Sequence, residues 1–334
     1  MIRTRPPRVS ELMPRTSQTR VVQLALAGFW AIDALLQLQP AQFTSQLVLG
    51  TILGNAENQP QPIFGSLVSA SHLLVPLHVE LNITIIAIQL ALAAGLLWRR
   101  TVKPALALSI VWALGIWWLG EGFGGIFAGK GTLLVGAPGP ALLYALLALV
   151  AWPTERRVTG TIAAGGALGE RGTLGAWALL WTGGAILRIV PFWFSPVYAL
   201  AGDFQLSLDQ EPHWLYRVNE ALSHFAATAG LPLVIAIAAL EAAIGLGVLT
   251  HHRRAALTAG IAVATVYWVF GQQFAGLLTG SATDIAAGPP FILLALTLWP
   301  RSAHLRDLSR LTPAAIGRMR APRGVAAIAG GSDG

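Results

Sequence analysis

Apolar and polar positions alternate along the chain in long blocks, which predicts membrane-spanning helices rather than a soluble core. A helix needs roughly 17–25 apolar residues to cross a bilayer, and most of the apolar blocks approach that length. We predict eight spans, of which the fourth and eighth are short: Val21–Leu38, Leu81–Trp98, Pro104–Leu119, Ala141–Trp152, Leu174–Trp193, Leu231–Leu249, Ala255–Phe270 and Pro290–Trp299.

The block pattern occurs twice. Residues at matching positions recur at an offset of 151 or 152, among them Trp117 and Trp268, Phe123 and Phe274, and His72 and His224. Such self-similarity indicates a duplicated structural unit. We therefore predict a first four-helix repeat over 21–153, a linker over 154–173 and a second repeat over 174–300. Because each unit has an even number of spans, the two repeats are expected to be parallel.

Basic residues predict the orientation of the spans. Of the 22 Lys and Arg, 19 lie in the segment 1–20, the loops at 99–103, 156–171 and 253–254, and the tail 301–334. The positive-inside rule then places both termini and the linker in the cytoplasm of a multi-pass plasma-membrane protein. This asymmetry accounts for the net charge of +7 and gives no reason to expect nucleic acid as a partner. The 301–334 tail, rich in Arg, Pro and Gly, is expected to be disordered.

Composition supports the membrane assignment. Hydrophobic residues make up 54% of the chain and charged residues 11%, against about 25% charged in soluble domains. The absence of cysteine excludes disulfides and thiol chemistry. The expected fold is thus all-α, with eight transmembrane helices in two parallel four-helix repeats. Apolar stretches in the long outer segment of the first repeat predict interfacial helices.

Charged and amide side chains inside spans are the first candidate site, since a charge near the bilayer centre costs about 2.5–3.5 kcal/mol. The repeat alignment pairs Arg188 with Gln37 and Glu241 with Gln89. An ion pair in one copy and an amide pair in the other predict that the first two helices of each repeat touch there. Either a structural clamp or a proton or substrate path explains these residues. Asp33, opposite Gly184 in the alignment, is a buried acid or a proton carrier.

Histidines on the outer side form the second candidate site. His72 and His224 occupy matching positions after a Pro and a Ser, and His78 lies nearby. Histidine titrates near neutrality and binds metals, so the matched pair could share a metal, a haem or a quinone headgroup. Local hydrogen bonding is the alternative explanation.

The glycine-rich turns before the fourth and eighth spans are the third candidate site. Interrupted membrane segments at matching positions of two halves point to a binding site. Glu121 and Lys130 in the first turn, with Gln272 and Asp284 in the second, predict a polar outer pocket; tight packing of the short helices is the alternative.

The segment LEAAIGLGVL in the second helix of the second repeat, with Glu241, Gly245 and Gly247, resembles the DoxX/DoxD-like family of bacterial membrane proteins. Arg188 resembles a basic residue of that family's first helix, whereas the first repeat has only Gln89 and Gly95. The resemblance implies a four-helix membrane fold associated with redox complexes and in some cases with quinone. It supplies no catalytic residue.

Three functions remain open at this point. The first is a quinone- or metal-linked component of a redox system, with extracytoplasmic or membrane redox subunits as partners. The second is a small-solute or proton-coupled transporter with a site between the repeats. The third is a non-catalytic scaffold or assembly subunit of a membrane complex.

Overall fold

The computed structural model describes residues 17–154, 160–194, 199–205 and 212–300. This part of the chain consists of helices joined by turns and loops, and its one extended pairing is an isolated bridge between Thr161 and Pro300. The described α-helices are α1 (Ser17–Leu36), α2 (Gln61–Leu74), α3 (His78–Leu97), α4 (Val102–Leu119), α5 (Pro140–Val150), α6 (Gly169–Phe194), α7 (Ala199–Asp203), α8 (His213–Gly247), α9 (Arg253–Val266) and α10 (Gly288–Leu298). Residues 1–16 of the predicted N-terminal segment 1–20 and the whole 301–334 tail lie outside the described residues.

Five helical stretches of the described chain are long and apolar enough to cross a membrane: Gln18–Leu36, Gln61–Leu97, Val102–Leu119, His213–Gly247 and Arg253–Gly271. The chain is therefore a multi-pass membrane protein. The short fourth and eighth predicted spans correspond to α5 and α10, each of 11 residues, or about 16 Å of helix. The fifth predicted span lies in α6, which has 26 residues. The number of eight spans stays a prediction.

The second predicted span of each repeat begins earlier than the sequence indicated. A continuous helical stretch starts at Gln61 and another at His213, instead of Leu81 and Leu231. Pro76 lies in a 3-10 turn between α2 and α3, and Pro232 follows the bend at Gly230 inside α8. The chain stays helical on both sides of each interruption, a 3-10 turn that contains Pro76 and a non-helical Gly230 two residues before Pro232. The expected interfacial helix over IFGSLVSASHLLVPL is thus the first part of a longer stretch.

The outer segment of the first half has a small core of its own. A π-helical turn at Leu47–Leu53 packs on α2, and Val48, Ile52, Ala56 and Leu67 are buried between them. This turn therefore lies over the end of the helical bundle, where the sequence predicted a helix on the membrane surface.

Part of the predicted linker is packed. The Ile162 and Ala163 N–H groups donate to the carbonyls of Trp299 and Thr297, and the Ala167 N–H donates to the carbonyl of Leu149. Thr161, Ala163 and Ala164 are buried, so this stretch closes the ends of α5 and α10. The residues 155–159 of the linker lie outside the described part.

The main core joins both halves of the chain. In the first half α4 packs against α3 and α5; in the second, α6 packs on α8 and α9 on α10. Contacts between α5 and α10 connect the two sets. The largest buried side chains lie in two aromatic groups, Trp30 with Tyr144 and Trp177 with Trp181 and Phe291.

Two glycine-rich loops, loop A (residues 120–139) and loop B (residues 271–287), share unusual local geometry. Phe123 has φ 60° and ψ 32°, and Phe274 has φ 54° and ψ 29°. Each phenyl ring meets a tryptophan edge to face, Trp117 at 4.9 Å and Trp268 at 5.1 Å. Left-handed backbone in a non-glycine residue is uncommon, so its occurrence at both aligned positions shows that the two loops share the same local conformation.

Candidate functional site

A cavity of about 350 Å³ lies inside the first half of the chain, between α1, α3, α4 and α5 and below the Leu47–Leu53 turn. We call it the inner cavity. Pockets of roughly 300–1,000 Å³ are typical of small-molecule sites. Most of its wall is apolar, with aliphatic side chains from Leu47, Ile52, Leu74, Leu81, Ile85, Ile116 and Leu119.

Polar side chains in this apolar wall have atoms without hydrogen-bond partners. Asp33, Gln37, Gln89 and Tyr144 are at most 4% exposed. The Gln37 and Gln89 Oε1 atoms and Trp112 Nε1 have no hydrogen-bond partner, and the Tyr144 hydroxyl and the Asp33 carboxyl face each other, with neither the hydroxyl nor Oδ1 in a formed hydrogen bond. A buried polar group without a partner costs about 1–3 kcal/mol. Several such groups lining one cavity indicate a site built for a ligand.

Trp30 and Tyr144 form an aromatic part of the inner cavity's wall. Their rings meet edge to face at 4.8 Å, and Trp30 Nε1 donates to Ser109 Oγ at 2.8 Å. The Phe29 ring stacks on the other side of Tyr144 at 5.6 Å. This packing fixes the Tyr144 hydroxyl at the cavity wall.

A second cavity of about 420 Å³, the vestibule, lies between loop A and loop B. All four residues of the predicted outer pocket line it: Glu121, Lys130, Gln272 and Asp284. Glu121 and Asp284 also line the inner cavity, so these two carboxyl groups stand where the cavities meet.

Lys130 lies at the exposed part of the vestibule. Its Nζ atom is 2.8 Å from Glu57 Oε2, and this hydrogen bond lowers the pKa of the Glu57 carboxyl. Because both side chains are more than half exposed, the pair contributes little to stability. Lys130 does not line the inner cavity, where no basic side chain occurs among the described lining residues.

Glu121 has a structural role and a free oxygen. Its Oε1 accepts the Ala141 N–H at 2.9 Å and caps the N-terminus of α5, where a negative charge is favourable; its Oε2 is unpaired. Gln272 caps α10 in the same way through Ala287 and Gly288. Burial raises the pKa of Glu121 well above its usual range, and the Asp284 carboxylate adds to the increase.

Asp284 is brought to the first half by loop B. The Gln37 amide donates to the Thr283 carbonyl at 3.5 Å, and the Ile285 N–H faces the Asp33 carboxyl. Asp284 Oδ1 accepts the Ala286 N–H at 2.7 Å, which holds the turn. Burial raises the pKa of Asp284, since no base neutralises it in the inner cavity.

Arg188 and Glu241 form a separate site in the second half. Arg188 Nη2 lies 3.3 Å from Glu241 Oε1, and Arg188 Nη1 lies 2.8 Å from Asp203 Oδ2. Tyr267 donates to Glu241 at 2.7 Å, and Thr132 of loop A donates to Asp203 at 3.0 Å. Burial raises the pKa of Asp203 to about 6, although Arg188 opposes the increase. The predicted ion-pair clamp between α6 and α8 is therefore present.

The predicted amide pair of the first half is not formed. Gln37 and Gln89 both line the inner cavity, but Gln37 donates to loop B and both Oε1 atoms are unpaired. The cavity lies where the clamp lies in the second half. The five predicted intramembrane residues thus divide into a cavity group, Asp33, Gln37 and Gln89, and the Arg188–Glu241 clamp.

A second difference between the halves concerns Asp33. The aligned position is Gly184, and a side chain at Gly184 would collide with Leu133 of loop A. Leu133 in turn aligns with Asp284 at an offset of 151. In the second half, Leu133 of loop A thus packs against Gly184. In the first half, Asp284 of loop B lies near Asp33, the residue at the matching position.

The histidines remain apart from these cavities. His72 and His224 are exposed on α2 and α8, and His78 Nδ1 is 2.9 Å from the Val75 carbonyl. The described residues contain no group of three or more His, Cys, Asp or Glu side chains that could hold a metal ion. Their role as shared ligands stays a prediction.

Four residues of these sites escaped the sequence analysis: Trp112, Tyr144, Asp203 and Tyr267. Trp112 and Tyr144 sit in apolar spans where an aromatic side chain is ordinary. Their counterparts in the repeat alignment, Val263 and Ala295, are aliphatic, and that difference was the available signal. Comparisons of the chain with protein-family models, with curated proteins and with solved structures gave no match.

Proposed function

We propose that the protein binds a lipophilic ligand of the quinol class in the inner cavity and serves a membrane redox system. The observation that carries the proposal is the set of unpaired polar atoms in an otherwise aliphatic cavity. A ligand with an apolar tail and a hydrogen-bonding ring satisfies both parts of that wall. Such a cavity is at odds with a purely packing role as a scaffold.

The donor and acceptor inventory favours the reduced form of the ligand. Four of the unpaired atoms are acceptors as placed, on Asp33, Gln37, Gln89 and Glu121, and the Trp112 N–H is a donor. Tyr144 can donate or accept. A hydroquinone has two O–H groups that donate to such acceptors, whereas a quinone has only acceptor oxygens. The oxidised ring would leave several carboxyl and amide oxygens unpaired, which is costly in a buried site.

The proposal includes the finer topology. We infer eight spans in two parallel repeats, with both termini cytoplasmic and loops A and B on the extracytoplasmic side of the plasma membrane. The matched conformations of Phe123 and Phe274 and the matched caps of Glu121 and Gln272 support two repeats. The DoxX-like relationship is part of the same proposal. The chain has no cysteine, so electrons would pass to a partner subunit or a bound cofactor.

Binding of a short-chain probe tests the function. Trp30 and Trp112 line the cavity, so decylubiquinol and decylubiquinone can be titrated against tryptophan fluorescence in lipid nanodiscs. We expect tighter binding of decylubiquinol, and a loss of about 5–10-fold in affinity for Tyr144→Phe and for Gln89→Leu, since one hydrogen bond contributes about 1 kcal/mol. Glu57→Gln, in the exposed ion pair, is the matched control and should bind normally. Equal affinities in all variants would refute the assignment.

A proton-coupled transporter for a small lipophilic cation is the second candidate. The observation that favours it is the absence of any basic side chain among the described residues of the inner cavity, next to three carboxyl groups. A cation would neutralise them. Uptake of a labelled quaternary amine into proteoliposomes, dependent on Asp33 and on a pH gradient, would favour this candidate over the quinol site.

A further inference from the structure

The three carboxyl groups of the cavities follow one another from the interior to the loops. Asp33 lines only one of the two cavities, the inner cavity, whereas Glu121 and Asp284 line both the inner cavity and the vestibule. Asp33 interacts electrostatically with both of them. Its Oδ1 is unpaired although Asp33 is only 2% exposed, so an acceptor is free at the inner end.

We propose that Asp33, Asp284 and Glu121 form a proton path between the inner cavity and the vestibule, with Asp284 as the link that the second half of the chain supplies. Oxidation of the quinol to the quinone gives two electrons to the redox partner and releases two protons. Each proton passes to Asp33 and then to Asp284 or Glu121, and leaves to water in the vestibule; a carboxyl group that already carries a proton accepts the new one on its carbonyl oxygen and passes on its hydroxyl proton. Only protons move along the path, and each carboxyl group returns to its starting state. The proposal rests on the proposed function only for the identity of the proton donor.

The surroundings of the path suit proton exchange. Burial raises the pKa of Glu121 and of Asp284, so both carry a proton at higher pH than an exposed acid. Tyr144 is the other titratable group that faces Asp33, and Glu57 and Lys130 are the charged groups of the vestibule. Trp30 and Tyr144 also line the inner cavity, and their rings contact each other there.

The second half shows that the acids are not needed for the fold. Gln272 caps α10 as Glu121 caps α5, so an amide suffices there. Gly184 and Leu133 stand at the positions of Asp33 and Asp284, and they pack tightly. Asp33, Glu121 and Asp284 are thus not required by the fold, and all three line the inner cavity.

Hydrogen–deuterium exchange of the protonated carboxyl band tests the path in nanodiscs without any ligand. Asp33→Asn identifies the Asp33 band in the infrared spectrum. After mixing with D2O, we expect this band to exchange at least tenfold more slowly in the Glu121→Gln/Asp284→Asn variant than in the wild type. Glu57→Gln, a vestibule acid outside the path, should exchange at the wild-type rate.

An unchanged exchange rate in the double variant would overturn the path, and so would the lack of a band sensitive to Asp33→Asn. If the double variant does not fold, the single variants Asp284→Asn and Glu121→Gln replace it, and the path is overturned if neither of them slows the exchange. Failure of the proposed function is distinct: decylubiquinol would not bind, while the exchange of the Asp33 band would still slow.

Discussion

The Arg188–Glu241 clamp predicts a strong and non-additive effect on stability. Arg188 is 2% exposed and the Glu241 side chain is fully buried, with the charged atoms 3.3 Å apart. At an effective dielectric constant of about 20, this distance corresponds to an attraction of about 5 kcal/mol, most of which offsets the desolvation of the two ions. Replacement of one partner removes the attraction and leaves the other charge buried.

We expect Arg188→Gln to lower the free energy of unfolding by about 3–5 kcal/mol, because Glu241 and Asp203 then lose their common counter-ion. Glu241→Gln should cost less, about 1–3 kcal/mol, because Arg188 keeps Asp203 and the new amide can still accept from Tyr267. The double variant reproduces the Gln37 and Gln89 residues of the first half. It should be at least about 2 kcal/mol more stable than the sum of the single losses predicts.

The assay is thermal unfolding in detergent, followed by intrinsic fluorescence, with all three variants under one condition. With an unfolding entropy of about 2.1 cal/mol/K per residue, 1 kcal/mol corresponds to about 1–2 °C in Tm for a chain of 334 residues, so Arg188→Gln should lower Tm by roughly 5 °C. Additive losses in the double variant would refute the coupling and with it the interpretation of these residues as a clamp.

Three further predictions concern loop A and its contacts with α5, α6 and α7. Glu121→Gln should leave Tm unchanged, whereas Glu121→Ala removes the cap of α5 and should cost about 1 kcal/mol, or about 1–2 °C in Tm. Equal losses would contradict the capping role. Burial raises the pKa of Asp203 to about 6 in the folded protein, so the folded state binds this proton more tightly than the unfolded state does. The free energy of unfolding should therefore fall as pH rises from about 4 to about 6. Tm measured over this range should fall less in Asp203→Asn than in the wild type. Gly184→Ala should lower Tm because its methyl group collides with Leu133, whereas Gly175→Ala has open space and should be neutral; equal Tm values would contradict the packing of loop A.

The pattern of long apolar blocks predicted a helical membrane protein but not where all of its helices begin and end. Apolar blocks locate α1, α3 and α4 to within a few residues. The second span of each repeat was predicted to begin at Leu81 and Leu231, yet the helical stretches begin at Gln61 and His213. A proline bends a helix whose neighbouring turns are stabilised by packing, and sequence alone does not show that packing.

The candidate site was predicted in its components and not in its arrangement. The comparison of the two halves selected Asp33, Glu121 and Asp284 as polar residues in unusual places. It could not show that loop B places Asp284 in the first half, since that contact joins residues about 250 positions apart, as in the bond from Gln37 to Thr283. The predicted contact between Gln37 and Gln89 was wrong, because the first half has a cavity where the Arg188–Glu241 pair lies in the second half.

The most direct test of the quinol site is the position at which a photoreactive hydroquinone analogue attaches to the protein. Irradiation in nanodiscs followed by peptide mass spectrometry should place the label on the cavity walls, in α1 near Asp33, α3 near Gln89, α4 near Trp112 and α5 near Tyr144. Excess decylubiquinol should suppress the label. Attachment instead near His72 and His224, or labelling that decylubiquinol does not suppress, would contradict the assignment of the inner cavity.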